Sequence, residues 1–129
     1  MTEPRISRIP HAVVPGIADT VRVEGGTTIY ASGVTGHRPP GAPAPDFAEE
    51  VRLAIAALVA SLERQGARLA DLVRLTVYIV GLDRERMDTW HRVRDEWFPL
   101  DQPPAASLIG VQALAAPYYS IEIEGTAVV

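Results

Sequence analysis

The sequence predicts an α+β fold in which a mixed β-sheet carries two helices on one face. Two observations predict this class. Short runs of β-branched residues with period-two alternation indicate strands, whereas apolar residues spaced three and four apart indicate helices. These segments follow the order β-β-β-α-β-α-β-β along the chain. The length of 129 residues fits one domain, which we expect to span residues 1–129.

The N-terminal third predicts three strands. Arg5–Ile9 is a weak first strand, and Thr20–Glu24 and Thr27–Ser32 alternate on either side of Gly25-Gly26. Two alternating runs around a pair of glycines are typical of a β-hairpin. The following segment, Gly33–Pro45, contains four prolines and is predicted to be a loop.

Two helices are predicted from their apolar spacing and their end signals. Asp46 can cap the first helix, with Glu49 three residues later, and Gly66 can end it. The second helix runs from about Asp83 to Phe98, where a following proline stops it.

The remaining strands are Leu72–Val80, Ala105–Leu114 and Tyr119–Val128. Because side chains alternate along a strand, Glu122 and Glu124 share one face of the last strand, while its isoleucines occupy the other. A carboxylate among β-branched residues, near a strand of small side chains, is a candidate general base with a pocket beside it.

The uncovered face of the sheet predicts an oligomer. Two helices cover one face, and we expect the other face to carry Val, Ile, Leu and Tyr side chains. Such an apolar face is typically buried against other copies of the chain. We therefore predict a homo-oligomer with any pocket at the subunit boundary.

Composition disfavours several functional classes. The net charge is −4, the chain has no lysine, and no basic run is present, so nucleic acid is not an expected partner. The absence of cysteine excludes disulfides and a thiolate nucleophile, and His11, His37 and His91 lack paired ligand spacing, so no metal site is expected. The longest apolar stretch, Leu53–Leu62, is too short to span a membrane, and no signal peptide is recognisable. A soluble, cytoplasmic protein is expected.

Several segments in a fixed order carry a family resemblance. They are Ile29–Gly33, Ala67–Val73, Leu75–Tyr78, Trp97–Pro99, Pro104–Ser107, Val111–Leu114 and Ile121–Glu124. Together they resemble the reactive intermediate deaminase (Rid) family, also called YjgF, over essentially the whole chain. The resemblance implies a chorismate-mutase-like fold, a homotrimer and clefts between adjacent subunits. It also implies hydrolysis of 2-aminoacrylate-type enamines and imines to keto acids and ammonia, without a metal or organic cofactor.

The resemblance also assigns site residues. Glu122 matches the family's carboxylate, which positions water and transfers protons, and Ser32 and Gly33 match the strand end that lines the cleft. Ser107 follows the position at which archetypal members carry a substrate-binding arginine.

At that position this chain has Ala106 instead of arginine. Ile17 (or Ala18) stands where the family has a tyrosine, and His91 stands where it has an asparagine. Losing a bidentate charge partner in a dry pocket costs about two orders of magnitude in binding. We therefore expect a more apolar pocket whose ligand lacks a carboxylate or presents it to another group, such as Arg38.

Alternatives remain open at this point. Glu122 could be a solvated or ion-paired strand residue, and His91 an exposed helical histidine. The protein could be a trimeric ligand-binding or regulatory protein without catalysis. Ribonuclease activity, a name attached to this family, is disfavoured by the acidic charge and the missing basic groove.

Overall fold

The computed structural model describes residues 3–129 and has the predicted order of elements. The strands and helices are β1 (Arg5–Pro10), β2 (Ala18–Glu24), β3 (Thr28–Thr35), α1 (Phe47–Glu63), β4 (Leu72–Val80), α2 (Arg84–Trp97), β5 (Ala105–Val111) and β6 (Ile121–Val128). A 3₁₀ turn, Leu69–Asp71, leads into β4.

The six strands form one mixed sheet in the order β1-β2-β5-β4-β6-β3. At its centre, β4 pairs in parallel with β5 and antiparallel with β6. β3 pairs antiparallel with β6 at one edge, and β1 pairs antiparallel with β2 at the other. The predicted α+β class with a mixed sheet is confirmed.

The predicted hairpin between β2 and β3 is wrong. Gly25 and Gly26 do form a turn, and both have positive φ, but the strands on either side of them do not pair with each other. β2 pairs instead with β1, and β3 forms its ladder with β6, where Thr28 lies opposite Val128. The two glycines correctly predicted a turn. Hydrogen bonding to strands distant in sequence, however, determines which strands pair.

Both helices pack on the same face of the sheet, as predicted. Asp46 accepts a hydrogen bond from the backbone N–H of Glu49 at 2.8 Å, and Asp83 caps α2 in the same way through Arg86. The buried core joins helix side chains to the inward-facing residues of β4 and β6. Its fully buried members include Ile55, Leu58, Leu62, Val93, Leu75, Val77, Ile79, Ile121 and Ile123.

β3 extends into the segment that was predicted to be a loop. The strand continues through Gly33 to Thr35, with a bulge between Ala31 and Val34. It does so because β6 supplies partners along this stretch, with Val34 opposite Ile123. The irregular segment therefore begins only at Gly36.

The sheet face opposite the helices is not the apolar surface that we expected. At its centre β4 presents Arg74, Thr76 and Tyr78, and β6 presents Glu122 and Glu124. The apparent apolar continuity of β4 comes from its inward-facing residues. Exposed Tyr30 and Ile109 lie on the same face, so the apolar expectation holds only away from its centre, and oligomerisation stays a prediction.

Glu50 connects α1 to the start of β6. Its side chain is buried, with 5% exposure of the residue, and Oε2 accepts the backbone N–H groups of Ser120 at 2.6 Å and Ile121 at 3.1 Å. The backbone of Gly36 packs so closely that a Cβ there would meet the Glu50 carbonyl oxygen at 2.7 Å. This contact fixes where the strand that carries Glu122 begins.

Replacing Glu50 tests this contact. Glu50→Ala leaves two buried N–H groups without an acceptor, and we expect a loss of about 2–4 kcal/mol in the free energy of unfolding. Glu50→Gln keeps an acceptor oxygen and should lose less. Glu49→Ala, on the exposed side of the same turn, is the control and should cost about 0.5 kcal/mol or less. Urea denaturation measures all three, and equal losses for Glu49→Ala and Glu50→Ala would contradict the assignment.

Candidate functional site

A cavity of about 260 Å³ lies between α2, β5 and the loop that joins β1 to β2. Most of its lining is apolar. The lining residues are Val14, Ile17, Val77, Leu82, Met87, Trp90, His91, Arg94, Ala106, Ser107 and Leu108. Four predicted site residues from three distant parts of the sequence therefore meet at one cavity: Ile17, His91, Ala106 and Ser107. Small-molecule sites in proteins are commonly concave and apolar with a few polar groups.

The loop that carries Ile17 is held at both ends. At one end the backbone N–H of His11 donates to the Ile17 carbonyl at 3.2 Å, and at the other the N–H of Ala18 donates to Pro104 at 2.9 Å. Gly16 supplies the turn, with a φ of 80° that L side chains rarely adopt. The loop therefore brings Ile17 against the start of β5.

Helix α2 supplies two polar residues to the cavity, His91 and Arg94. They lie three residues apart and so share one helix face. Burial lowers the pKa of His91 below its usual value, and the positive charge of Arg94 lowers it further, whereas Asp95 and Asp88 oppose the shift. The imidazole is therefore neutral at pH 7 and can both donate and accept a hydrogen bond.

Sequence reasoning missed Arg94. Its side chain is only 7% exposed, and it donates to Asp95 Oδ1 from Nε at 3.0 Å and from Nη2 at 2.9 Å. Nη2 also donates to the Pro15 carbonyl at 3.3 Å. Its spacing in the sequence could have indicated its position, because Arg94 falls one turn after Trp90 on a helix face that is otherwise apolar.

β5 presents its predicted site residues to two different faces. Ala106 packs against the core on the helix side. The Ser107 hydroxyl accepts a hydrogen bond from Arg74 at 2.8 Å, and Arg74 belongs to the opposite face of the sheet. Ser107 thus borders the cavity and also contributes to the polar face.

The predicted catalytic residue Glu122 lies on that polar face and does not line the cavity. In the ladders it stands opposite Thr35 of β3 and Tyr78 of β4. A Cβ at Gly33 would meet the Glu122 carboxyl carbon at 2.8 Å, so this carboxylate rests directly on the Gly33 backbone. The structure therefore brings Gly33 and Glu122 together, as a second group of candidate residues.

Glu124 has a separate partner. Tyr78 donates its hydroxyl to Glu124 Oε1 at 2.5 Å. This hydrogen bond is the main cause of a raised pKa for Tyr78, which keeps the phenol protonated at neutral pH. The Glu124 carboxylate is therefore occupied by a hydrogen bond within the protein. Among residues 3–129, no side-chain hydrogen bond involves Glu122.

Ser32 and Arg38 lie apart from the cavity. Ser32 is exposed at the bulge of β3, beside the end of α1 near Ser61 and Arg64. Arg38 lies 5.6 Å from the centre of the Tyr119 ring. The expectation that Arg38 replaces the missing arginine therefore has no support within one protomer.

Two features are absent from residues 3–129. No helix there is long and apolar enough to cross a membrane. No group of three or more potential ligand side chains in that range could hold a metal ion.

The fold and these two groups of residues define a small α+β domain with an apolar cleft and a carboxylate-bearing strand face. A family model described as Endoribonuclease L-PSP matches residues 18–129. The RutC family protein YjgH of Escherichia coli is 30% identical over 101 residues, which cover 78% of this chain and 76% of that protein.

Solved structures agree with this match. A protein of unknown function of the conserved Rid family from Yersinia pestis is 28% identical, with a TM-score of 0.79 and coverage of 99% of this chain and 100% of that one. A putative endoribonuclease from Thermotoga maritima is 27% identical, with a TM-score of 0.71 and coverage of 95% and 92%. The chain belongs to the Rid/YjgF family, and its fold is the fold of that family. Membership supports a deaminase-like or small-molecule-binding role.

The lowered pKa of His91 predicts a pH effect on stability. As the pH falls, the unfolded chain takes up the proton first, so the stability that the neutral His91 contributes is complete above its ordinary pKa and is lost as the pH falls through the folded value. Between about pH 7.5 and pH 5, the wild type should lose more thermal stability than His91→Gln. Parallel melting curves for the two proteins would contradict this prediction.

Proposed function

We propose that the chain forms a cytoplasmic homotrimer whose inter-subunit clefts bind a small enamine, imine or carbonyl metabolite. In each cleft, the cavity residues Ile17, His91 and Ala106 of one protomer face Gly33 and Glu122 of a neighbour. Glu122 activates water or transfers protons, and the reaction requires no metal or organic cofactor.

One observation carries this proposal: a single protomer holds its apolar cavity and its candidate catalytic carboxylate on opposite faces of the sheet. Neither group suffices alone, because the cavity has no carboxylate in its lining and Glu122 lies outside it. Association of copies is the simplest way to bring the two groups together, since closed symmetric assemblies repeat the same contact at each interface.

The chemistry assigned to Glu122 follows from what hydrolysis of a C=N bond requires. An enamine first takes up a proton at carbon and becomes an iminium ion. Water then adds to the iminium carbon, and one of its protons passes to the carboxylate. The carboxyl group returns that proton to nitrogen, the C–N bond breaks and ammonia leaves, and the remaining hydroxyl group loses its proton to give the carbonyl.

Ala106 argues against 2-aminoacrylate as the main substrate. Its methyl group offers no hydrogen bond to a substrate carboxylate at a position where a guanidinium would give a bidentate one. The rest of the cavity lining favours a larger and more apolar molecule.

Ammonia release from freshly generated 2-aminoacrylate tests the substrate class. The wild type should show little or no turnover, and Ala106→Arg should raise kcat/KM by up to about two orders of magnitude. Ala105→Arg is the control, since it adds the same charge at the neighbouring position, where side chains point to the other face of β5. Fast turnover by the wild type would refute the argument from Ala106.

Glu122→Gln tests the catalytic assignment for any substrate that is found. The amide cannot take a proton from water, so kcat should fall about 100-fold or more while the oligomer stays intact. Glu124→Gln, on the same face of the same strand, should keep most of the activity. If Glu122→Gln is fully active, the carboxylate has no chemical role. Ligand binding without turnover in the wild type would instead identify a non-catalytic binding protein.

A further inference from the structure

We propose that Arg94 is the anion-binding group of the cavity, and that the ligands of this protein are small apolar molecules bearing one carboxylate. This inference rests on the proposed small-molecule role of the cavity and specifies its ligand class. It assigns to α2 the recognition that Ala106 on β5 cannot provide.

The hydrogen bonds of Arg94 leave part of its guanidinium group free. A guanidinium has five N–H donors, one on Nε and two on each terminal nitrogen. Nε donates to Asp95, and Nη2 donates to Asp95 and to the Pro15 carbonyl. Both hydrogens of Nη1 therefore have no acceptor among residues 3–129.

Nη1 is also accessible. Within the described part of the chain, every fully buried side-chain nitrogen or oxygen has a hydrogen-bond partner. Nη1 has none, so it is not fully buried, although the Arg94 side chain as a whole is 93% covered. Arg94 is one of the residues that line the cavity, and we infer that its two unused donors face this apolar space.

The charge of Arg94 is compensated on one edge of the guanidinium only. Asp95 contacts Nε and Nη2, whereas no carboxylate among residues 3–129 contacts Nη1. Among the cavity-lining residues Arg94 is the only charged one at neutral pH, since the lowered pKa of His91 keeps the imidazole neutral. A ligand carboxylate at Nη1 would therefore form charge-assisted hydrogen bonds with the edge of the guanidinium that Asp95 does not use.

The cavity suits a carboxylate better than a phosphate group. Two donors on Nη1 match one or both oxygens of a carboxylate, and no second cation lines the cavity to balance a dianion. The neighbouring lining side chains, including Met87, Trp90 and Leu108, favour a hydrocarbon body. The expected ligand is an apolar monocarboxylate.

Gly16 holds the guanidinium in this position. A Cβ at Gly16 would lie 2.4 Å from Nη2 and 2.7 Å from Cζ of Arg94, so the guanidinium lies directly against the Gly16 backbone. Gly16 and the Pro15 carbonyl thus act as positioning groups.

Matched charged and neutral probes test the proposal. Phenylacetate and phenylacetamide have nearly the same shape, and only the first is an anion at pH 7. Isothermal titration of the intact protein should give about tenfold or more tighter binding of phenylacetate. In Arg94→Gln the two probes should bind within about threefold of each other. Arg52→Gln, which removes an exposed arginine that pairs with Glu96, should keep the wild-type preference.

A second measurement on the wild type covers the case in which Arg94→Gln fails to fold. Phenylacetate, but not phenylacetamide, should shift the Arg94 Nε–H resonance in NMR spectra. Equal affinities for the two probes, an unshifted resonance, or a preference that persists in Arg94→Gln would overturn the proposal. None of these readouts involves Glu122, so carboxylate binding at Arg94 can hold even if the catalytic proposal fails.

Discussion

The antiparallel ladder between β4 and β6 is the constraint on which the rest of the structure depends. In such a ladder, residues that stand opposite each other share a face, so each pair is committed either to the core or to the open side. Val77 and Ile123 are paired and buried, whereas Tyr78 stands opposite Glu122 on the open face. A shift of one residue would place carboxylates in the core, and the hydrophobic contacts with the helices exclude that register.

This ladder separates the candidate chemistry from the candidate binding space. Glu122 must lie on the side away from the helices, and the cavity must lie on the helix side because α2 forms its wall. In the proposed trimer, each protomer contributes half of a site on each face. Family membership and this separation are consistent with each other, because a cleft shared between copies would use both halves at once.

This chain differs from archetypal members of the family in where the cavity carries its positive charge. An arginine on β5 would extend from the strand, whereas Arg94 reaches the cavity from α2 and is held by Asp95 and Pro15. If Arg94 binds the ligand as proposed, the carboxylate is held from a different direction, and the rest of the ligand takes a different orientation. We infer that such a change alters substrate choice while leaving the fold intact.

Local signals in the sequence were sufficient for most of the fold. Capping residues such as Asp46 and the alternation in β6 act over a few residues, so the helix start and the two carboxylates on one face could be predicted. Pairing partners could not, because the ladder of β3 with β6 joins residues far apart in sequence, while Gly25-Gly26 suggested a nearer partner.

The candidate site shows the same limit. Resemblance to a family indicated Ile17, His91 and Ala106, which do meet at the cavity. Arg94 was missed because its importance depends on its burial and on contacts with Pro15, from a loop nearly eighty residues earlier. Placement of Glu122 on one face of β6 followed from alternation, but its separation from the cavity became apparent only from the cavity lining.

The central claim is that the cavity of one protomer faces Gly33 and Glu122 of another, and intermolecular paramagnetic relaxation tests it most directly. The chain has no cysteine, so Ser32→Cys gives a single exposed attachment site for a spin label. Labelled protein is mixed and reassembled with unlabelled, ¹⁵N-enriched protein. The account predicts selective broadening of the ¹⁵N amide signals of Ile17, His91 and Ala106. Unbroadened signals at all three positions would contradict it.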